Sequence, residues 1–87
     1  MNATDRKTVA EALAGLAVMI DTLDNIGAAL RDLADAEREK FDNLSEGLQG
    51  AQSGQDIEAA AEALEAAADA CDNTDVGEAV THLESIS

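Results

Sequence analysis

The stretch that decides the fold runs from residue 9 to residue 34 and reads VAEALAGLAVMIDTLDNIGAALRDLA. Its apolar residues recur every seven positions in three rows, and these rows are neighbours on the surface of a helix. The rows are Val9, Leu16, Leu23 and Leu30; Ala12, Met19, Ile26 and Leu33; and Leu13, Ile20, Gly27 and Ala34. A coiled-coil seam needs two rows, so three rows predict a bundle helix that touches two neighbours.

The pattern predicts a first helix from about residue 5 to about residue 42, with Thr4 as its N-terminal cap. At about 1.5 Å per residue this helix is more than about 50 Å long. Gly15 and Gly27 each cost up to about 1 kcal/mol relative to alanine, and close approach of another helix is the benefit we expect in return. The polar run from residue 21 to residue 25 is the place where we expect a kink.

Residues 43–53 contain cap residues and two glycines, followed by a third at Gly54, and they predict a connection. One helical turn is expected around residues 45–49, with Leu44 and Leu48 sealing the end of the bundle. Ser53, three positions before Asp56, is a weak form of the capping box and predicts a second helix over about 54–71. A break near residues 72–75 and a short last helix over about 76–84 complete the single helical domain, residues 1–87.

Composition indicates an all-α fold: a long helical hairpin plus a short C-terminal helix, forming a dimeric helical bundle. The chain has no proline, and 19 of its 40 apolar residues are alanine. No run alternates with period two, so no strand is predicted. The 20 large apolar residues make a thin core, which predicts burial against a second copy. The candidate contacts of this homodimer are Gly15, Met19, Leu23, Ile26 and Leu33.

Charge is distributed unevenly along the chain, whose net charge is −14. No lysine or arginine follows Lys40, and five carboxylates in the second half are spaced four, three, four and three residues apart. That spacing places them on one stripe of a helix, where each like-charged pair costs roughly 0.2–0.5 kcal/mol. The acidic stripe consists of Glu58, Glu62, Glu65, Asp69 and Asp72, and Asp75 and Glu78 extend it.

The same charge argues against direct binding to nucleic acid or to an anionic membrane, because both are negatively charged. The single Cys71 fits a reducing cytoplasm, which is either that of the producer or that of an infected host. His82 is the only histidine, and no catalytic set, cofactor motif or metal site is found. A calcium loop starting at Asp72 fails, since Val76 and Leu83 occupy positions that need oxygen ligands.

Three segments around the connection resemble small acidic helical proteins of phages and prophages. They are EREKFDNL at 37–44, EGLQ at 46–49 and SGQ at 53–55. In that group two long helices flank a short connection that contains a proline, where this chain has Ser45. The resemblance covers about half of the chain, from Leu30 to Asp69. It implies a helical hairpin from a mobile element, with no assigned activity and no catalytic residue.

Three functional interpretations follow from these features. In the first, a non-enzymatic acidic protein mimics the phosphates of DNA and occludes the basic nucleic-acid-binding surface of a host protein, such as a restriction or CRISPR factor. In the second, a structural or assembly protein acts through helix–helix self-association, and its acids only keep it soluble. In the third, an ordinary small domain carries the acid-rich surface typical of halophiles.

Overall fold

The computed structural model describes residues 1–86, and these residues form helices and no strand. The helices are α1 (Ala3–Asp42), α2 (Glu46–Gln49), α3 (Gln52–Asp72) and α4 (Val76–Glu84). α1 forms one arm of a hairpin, and α3 and α4 follow each other along it as the second arm. The molecule measures 68 × 15 × 14 Å, so it is only two helices thick. The all-α prediction is confirmed, and α4 extends the second arm rather than adding a third layer.

α1 runs without a break through the polar residues 21–25, where a kink was expected. Thr22 donates its hydroxyl hydrogen bond to the carbonyl of Val18 at 2.8 Å, within the helix. The predicted cap at Thr4 is wrong, because Thr4 already lies in the first turn. Asn2 caps the helix instead, and its side-chain oxygen accepts a hydrogen bond from the backbone N–H of Asp5 at 2.8 Å.

Two of the three heptad rows of α1 face the second arm. Their members are half-buried or buried, and on α3 the matching positions alternate by three and four residues. These α3 positions are Gly54, Ile57, Ala61, Leu64, Ala68 and Cys71. Among residues 1–86, the hydrophobic side chains that are fully enclosed are all alanines, namely Ala34, Ala61 and Ala68, with 0%, 1% and 0% exposure. The seam between the arms is therefore narrow, and every large apolar side chain in it is partly open to solvent.

Residues 73–75 are not helical, and this break allows the second arm to keep apolar side chains facing α1. Continued in phase, the three-and-four spacing of α3 would reach Asp75 and Glu78, which are acidic. The break shifts the phase by one residue, so that Val76, Val80 and Leu83 are half-buried instead. The apolar side of α4 thereby packs on the N-terminal half of α1.

The side chain of Gln49 holds the turn end of the hairpin, a role that no local sequence pattern predicts. Gln49 donates from Nε2 to the carbonyls of Phe41 and Leu44, at 3.1 and 3.2 Å. It thus ties α2 to the C-terminal end of α1. Leu44 is half-buried, but Leu48 remains exposed and does not seal the bundle as predicted.

The start of α3 also differs from the prediction. The helix begins at Gln52 with Ala51 at the cap position, and no side chain caps it. Ser53 lies inside the first turn, so the expected capping box with Asp56 is wrong.

Close helix approach requires glycine at Gly54 rather than at Gly15 or Gly27. A Cβ at Gly54 would lie 2.6 Å from the carbonyl oxygen of Leu48 and closer still to that of Gln49. At Gly27 the nearest atoms are 3.5–3.8 Å away, which is ordinary van der Waals contact, and at Gly15 nothing lies within 4 Å. The expectation that Gly15 and Gly27 permit close packing is therefore wrong within the hairpin.

Candidate interaction surfaces

Arginines of α1 reach across the hairpin to the acidic stripe. Arg31 donates from Nη2 to Asp69 at 3.3 Å and also to Asp72. Arg38 holds the carboxylate of Glu65 with both of its terminal nitrogens, the second bond being 3.0 Å long. Three of the five stripe carboxylates are thus paired, and the stripe is not a row of free charges.

These pairs organise the surface more than they stabilise it. The hydrogen bond to Asp72 and the charge of Asp72 raise the pKa of Arg31, with a further contribution from Asp69. Arg31, Arg38 and Glu65 all keep 42–46% of their side-chain surface exposed. Ion pairs at such exposure contribute about 0–1 kcal/mol each, and salt screens them.

The other two stripe carboxylates, Glu58 and Glu62, are exposed, and the described part of the chain offers neither of them an ion pair. They line an open groove of about 210 Å³ near the turn end, with Phe41 and Ile57 among its apolar residues. Arg38 forms part of the same rim. The unpaired negative charge of the stripe is therefore concentrated at this end of α3.

Asp75 and Glu78, which were expected to extend the stripe, lie beyond its end. Asp75 precedes α4, and Glu78 stands in the first turn of that helix. Both are exposed. Because the break at residues 73–75 changes the helical phase, the spacing that unites the five stripe residues does not continue to these two.

The third heptad row of α1 has no partner within the hairpin. Met19, Ile26 and Leu33 are 51%, 45% and 53% exposed, and they follow one another at seven-residue intervals. Small exposed residues alternate with them at three- and four-residue spacing. Together they form a second seam-like strip: Ala12, Gly15, Met19, Thr22, Ile26, Ala29, Leu33 and Ala36.

The two long edges of the hairpin therefore differ in chemistry. The salt bridges place Glu65 and Asp72 at one edge of α3, so Ala60 and Ala67 lie at the opposite edge, beside the exposed strip of α1. We define the apolar face as that strip together with Ala60, Ala63, Ala67 and Ala70. The charged face consists of the acidic stripe with Arg31 and Arg38.

The predicted self-association residues divide between two places. Gly15, Met19, Ile26 and Leu33 lie on the apolar face. Leu23 is half-buried in the intrachain seam, where it lines a cavity with Ile20 and Cys71. Ala60 and Ala67 follow the apolar spacing of the second helix in the sequence, but Ala63 and Ala70 were not recognised, although the three-and-four spacing from residue 60 to residue 70 carried the signal.

Two further properties of the described residues concern membranes and metal ions. An 18-residue window of α1 has a mean hydropathy of 1.4 with 6% of the window buried, so this helix is long and apolar enough to cross a membrane. Core helices of soluble proteins, which are mostly buried, and signal sequences near an N-terminus pass the same test. Within residues 1–86, no group of three or more His, Cys, Asp or Glu side chains is placed to hold a metal ion.

No family model matches the chain, and neither the curated proteins nor the solved structures gave a significant match. The resemblance of residues 30–69 to phage and prophage proteins therefore stays a prediction from the sequence.

Proposed function

We propose that this protein acts without enzymatic chemistry, by packing a helical partner against its apolar face. The observation that carries the proposal is the exposed row Met19, Ile26 and Leu33, beside a core whose fully enclosed hydrophobic side chains, within residues 1–86, are all alanines. Stable domains bury an apolar helix stripe against a further layer. A hairpin two helices thick leaves one such stripe uncovered.

Burying the exposed row of α1 contributes appreciably to the free energy of association. Fully burying a Leu, Ile or Met side chain stabilises by about 1.5–3 kcal/mol, and about half of each side chain is still exposed. Each of the three residues can therefore contribute about 1 kcal/mol on association. This contribution offsets part of the several kcal/mol lost in translational and rotational freedom.

A protein partner fits this row better than a bilayer does. Asp21 and Asp24 lie in the same stretch of α1 but point away from the apolar face. A partner on one side leaves both carboxylates in water, whereas a bilayer surrounds the helix and costs about 2.5 kcal/mol or more for each charge.

Photo-crosslinking in producing cells tests the proposal. A photoreactive amino acid replaces Ile26 on the apolar face in one variant and Glu62 on the charged face in the other. We expect a strong covalent product from position 26 and little from position 62. A product from position 62 alone would show that the apolar face is not the working surface.

The charged face supports a second candidate function, the binding of a basic protein surface in the cytoplasm of a host or producer. The supporting observation is the unpaired, exposed pair Glu58 and Glu62 within a chain of net charge −14. Mimicry of DNA phosphates is one form of this second function. Because Arg31 and Arg38 pair with three stripe carboxylates, the unpaired charge of the acidic stripe lies near the start of α3. Binding of this kind weakens steeply with salt.

Charge reversal separates the second candidate from the first. The double variant Glu58→Lys, Glu62→Lys should lose capture of a basic partner from host lysate at low salt. Association through the apolar face should persist in the same variant. A halophilic surface, the remaining interpretation, would instead make folding itself depend on molar salt, which unfolding curves measured from low to high salt would reveal.

A further inference from the structure

We infer that the partner on the apolar face is a second copy of this chain, packed antiparallel with the two-fold axis beside Ile26. This inference rests on the proposed function and names its partner. In the resulting four-helix assembly the apolar faces meet in the centre, and the charged faces lie on the two outer sides.

The size of the apolar face matches that of a small, specific interface. The strip from Ala12 to Ala36 is about 36 Å long at 1.5 Å per residue. The hairpin is about 15 Å wide, so the footprint of each copy is roughly 540 Å² and that of the pair about 1,100 Å². α1 supplies apolar side chains along the whole footprint, and the second arm supplies them from Ala60 to Ala70. Specific interfaces bury at least about 1,000 Å² in total, so a weak but real dimer is expected.

The spacing of the large side chains suits a two-fold axis. Met19 and Leu33 lie seven residues on either side of Ile26. An antiparallel partner centred there sets Met19 of one copy against Leu33 of the other, and Ile26 against its own counterpart. The small residues Thr22 and Ala29 lie between these large ones and leave room for them to interdigitate.

Charge complementarity favours the antiparallel direction. At seven-residue spacing the strip continues to Asp5 at one end and to Lys40, which also pairs with Glu37 of its own helix, at the other. Antiparallel packing brings Asp5 of each copy to the end of the other copy that carries Lys40, whereas parallel packing sets each of these charges against its own counterpart.

Packing of α1 against the second arm of the other copy is a poorer alternative. Beside Leu23 and Asp24, the second arm presents Thr74 and Gly77, at the break between α3 and α4. If the two-fold axis instead ran along the length of the hairpin, the two copies would be parallel and α1 of each would lie on the second arm of the other. Ile26 would then meet this polar break. The antiparallel arrangement keeps Ile26 against an apolar strip.

Disulfide crosslinking of single-cysteine variants tests the arrangement. In a Cys71→Ala background, Ile26→Cys should crosslink to itself under mild oxidation. A mixture of the Met19→Cys and Leu33→Cys chains should give mainly the mixed dimer, and each of these chains alone should give little. Self-crosslinking of both Met19→Cys and Leu33→Cys would overturn the antiparallel arrangement.

The mass in solution provides the second measurement. We expect sedimentation to show a shift from 9.0 kDa to twice that mass as the concentration rises through the micromolar range. Added salt should increase the dimer fraction, since it screens the repulsion between two strongly acidic chains. A monomer at all concentrations, with the position-26 photo-crosslink leading to a different protein, would overturn this inference and leave the proposed function standing.

Discussion

Replacing Gly54 with alanine should destabilise the hairpin at its turn end. The new Cβ would lie 2.6 Å from the carbonyl oxygen of Leu48 and 2.8 Å from the carbonyl carbon of Gln49. These are backbone atoms of α2 and its end, so they cannot rotate away as a side chain can. The turn must move by more than about half an ångström to relieve the clash, and overpacking of this kind costs about 1–3 kcal/mol.

Part of that cost is recovered, because alanine is favoured over glycine in a helix by up to about 1 kcal/mol. We therefore expect a net loss of about 1–2 kcal/mol in the free energy of unfolding. For a chain of this size, this corresponds to a fall in Tm of roughly 5–15 °C. Urea denaturation followed by circular dichroism should show a lower midpoint with an unchanged slope.

Gly27→Ala is the matched control, since it is the same substitution in the same seam. Its Cβ would meet no atom closer than 3.5 Å, so the helix preference dominates and stability should rise by about 0.5–1 kcal/mol. If Gly54→Ala is as stable as the parent, or if Gly27→Ala is the more damaging change, the packing described for the turn end is wrong.

Three further changes test other parts of the molecule. Ser45→Pro should be tolerated and should stabilise by about 0.4–1 kcal/mol, because Ser45 has φ −64° and its side chain makes no capping bond; thermal melts would show a lower Tm if its N–H were needed. Glu62→Lys should stabilise by about 0.5–1 kcal/mol in urea denaturation, since it replaces repulsion from Glu58 and Glu65 with attraction; unchanged stability would mean that the stripe residues do not interact. Gly15→Ala should stabilise the monomer by up to about 1 kcal/mol, because its surroundings are open; weaker dimerisation of this variant in sedimentation would show that the second copy packs closely at Gly15.

The acidic stripe shows how far the sequence could be interpreted. The spacing of its five carboxylates correctly predicts one helical surface, because helical periodicity is a local property. The sequence could not show that Arg31 and Arg38 face three of them, since those arginines lie 27–41 residues away in the chain. That proximity depends on how the two arms align, which no local pattern encodes.

The glycines and caps show the same limit at the turn end. Three glycines near residue 50 predicted a connection, and the structure has its turn there. The role of Gly54 depends on the last carbonyls of α2, and Gln49 reaches back to Phe41 across eight residues. Cap predictions at Thr4 and Ser53 were each wrong by two residues, because the caps are Asn2 and Ala51.

By itself the sequence determined that the chain is helical, that its first helix has three apolar rows, and that its second half lacks positive charge. These properties follow from interactions within a few residues along the chain. Only the tertiary structure decided which two rows form the intrachain seam, which row stays exposed, and which carboxylates are paired. These outcomes depend on the register between α1 and the second arm, and that register is set by packing between residues far apart in the sequence.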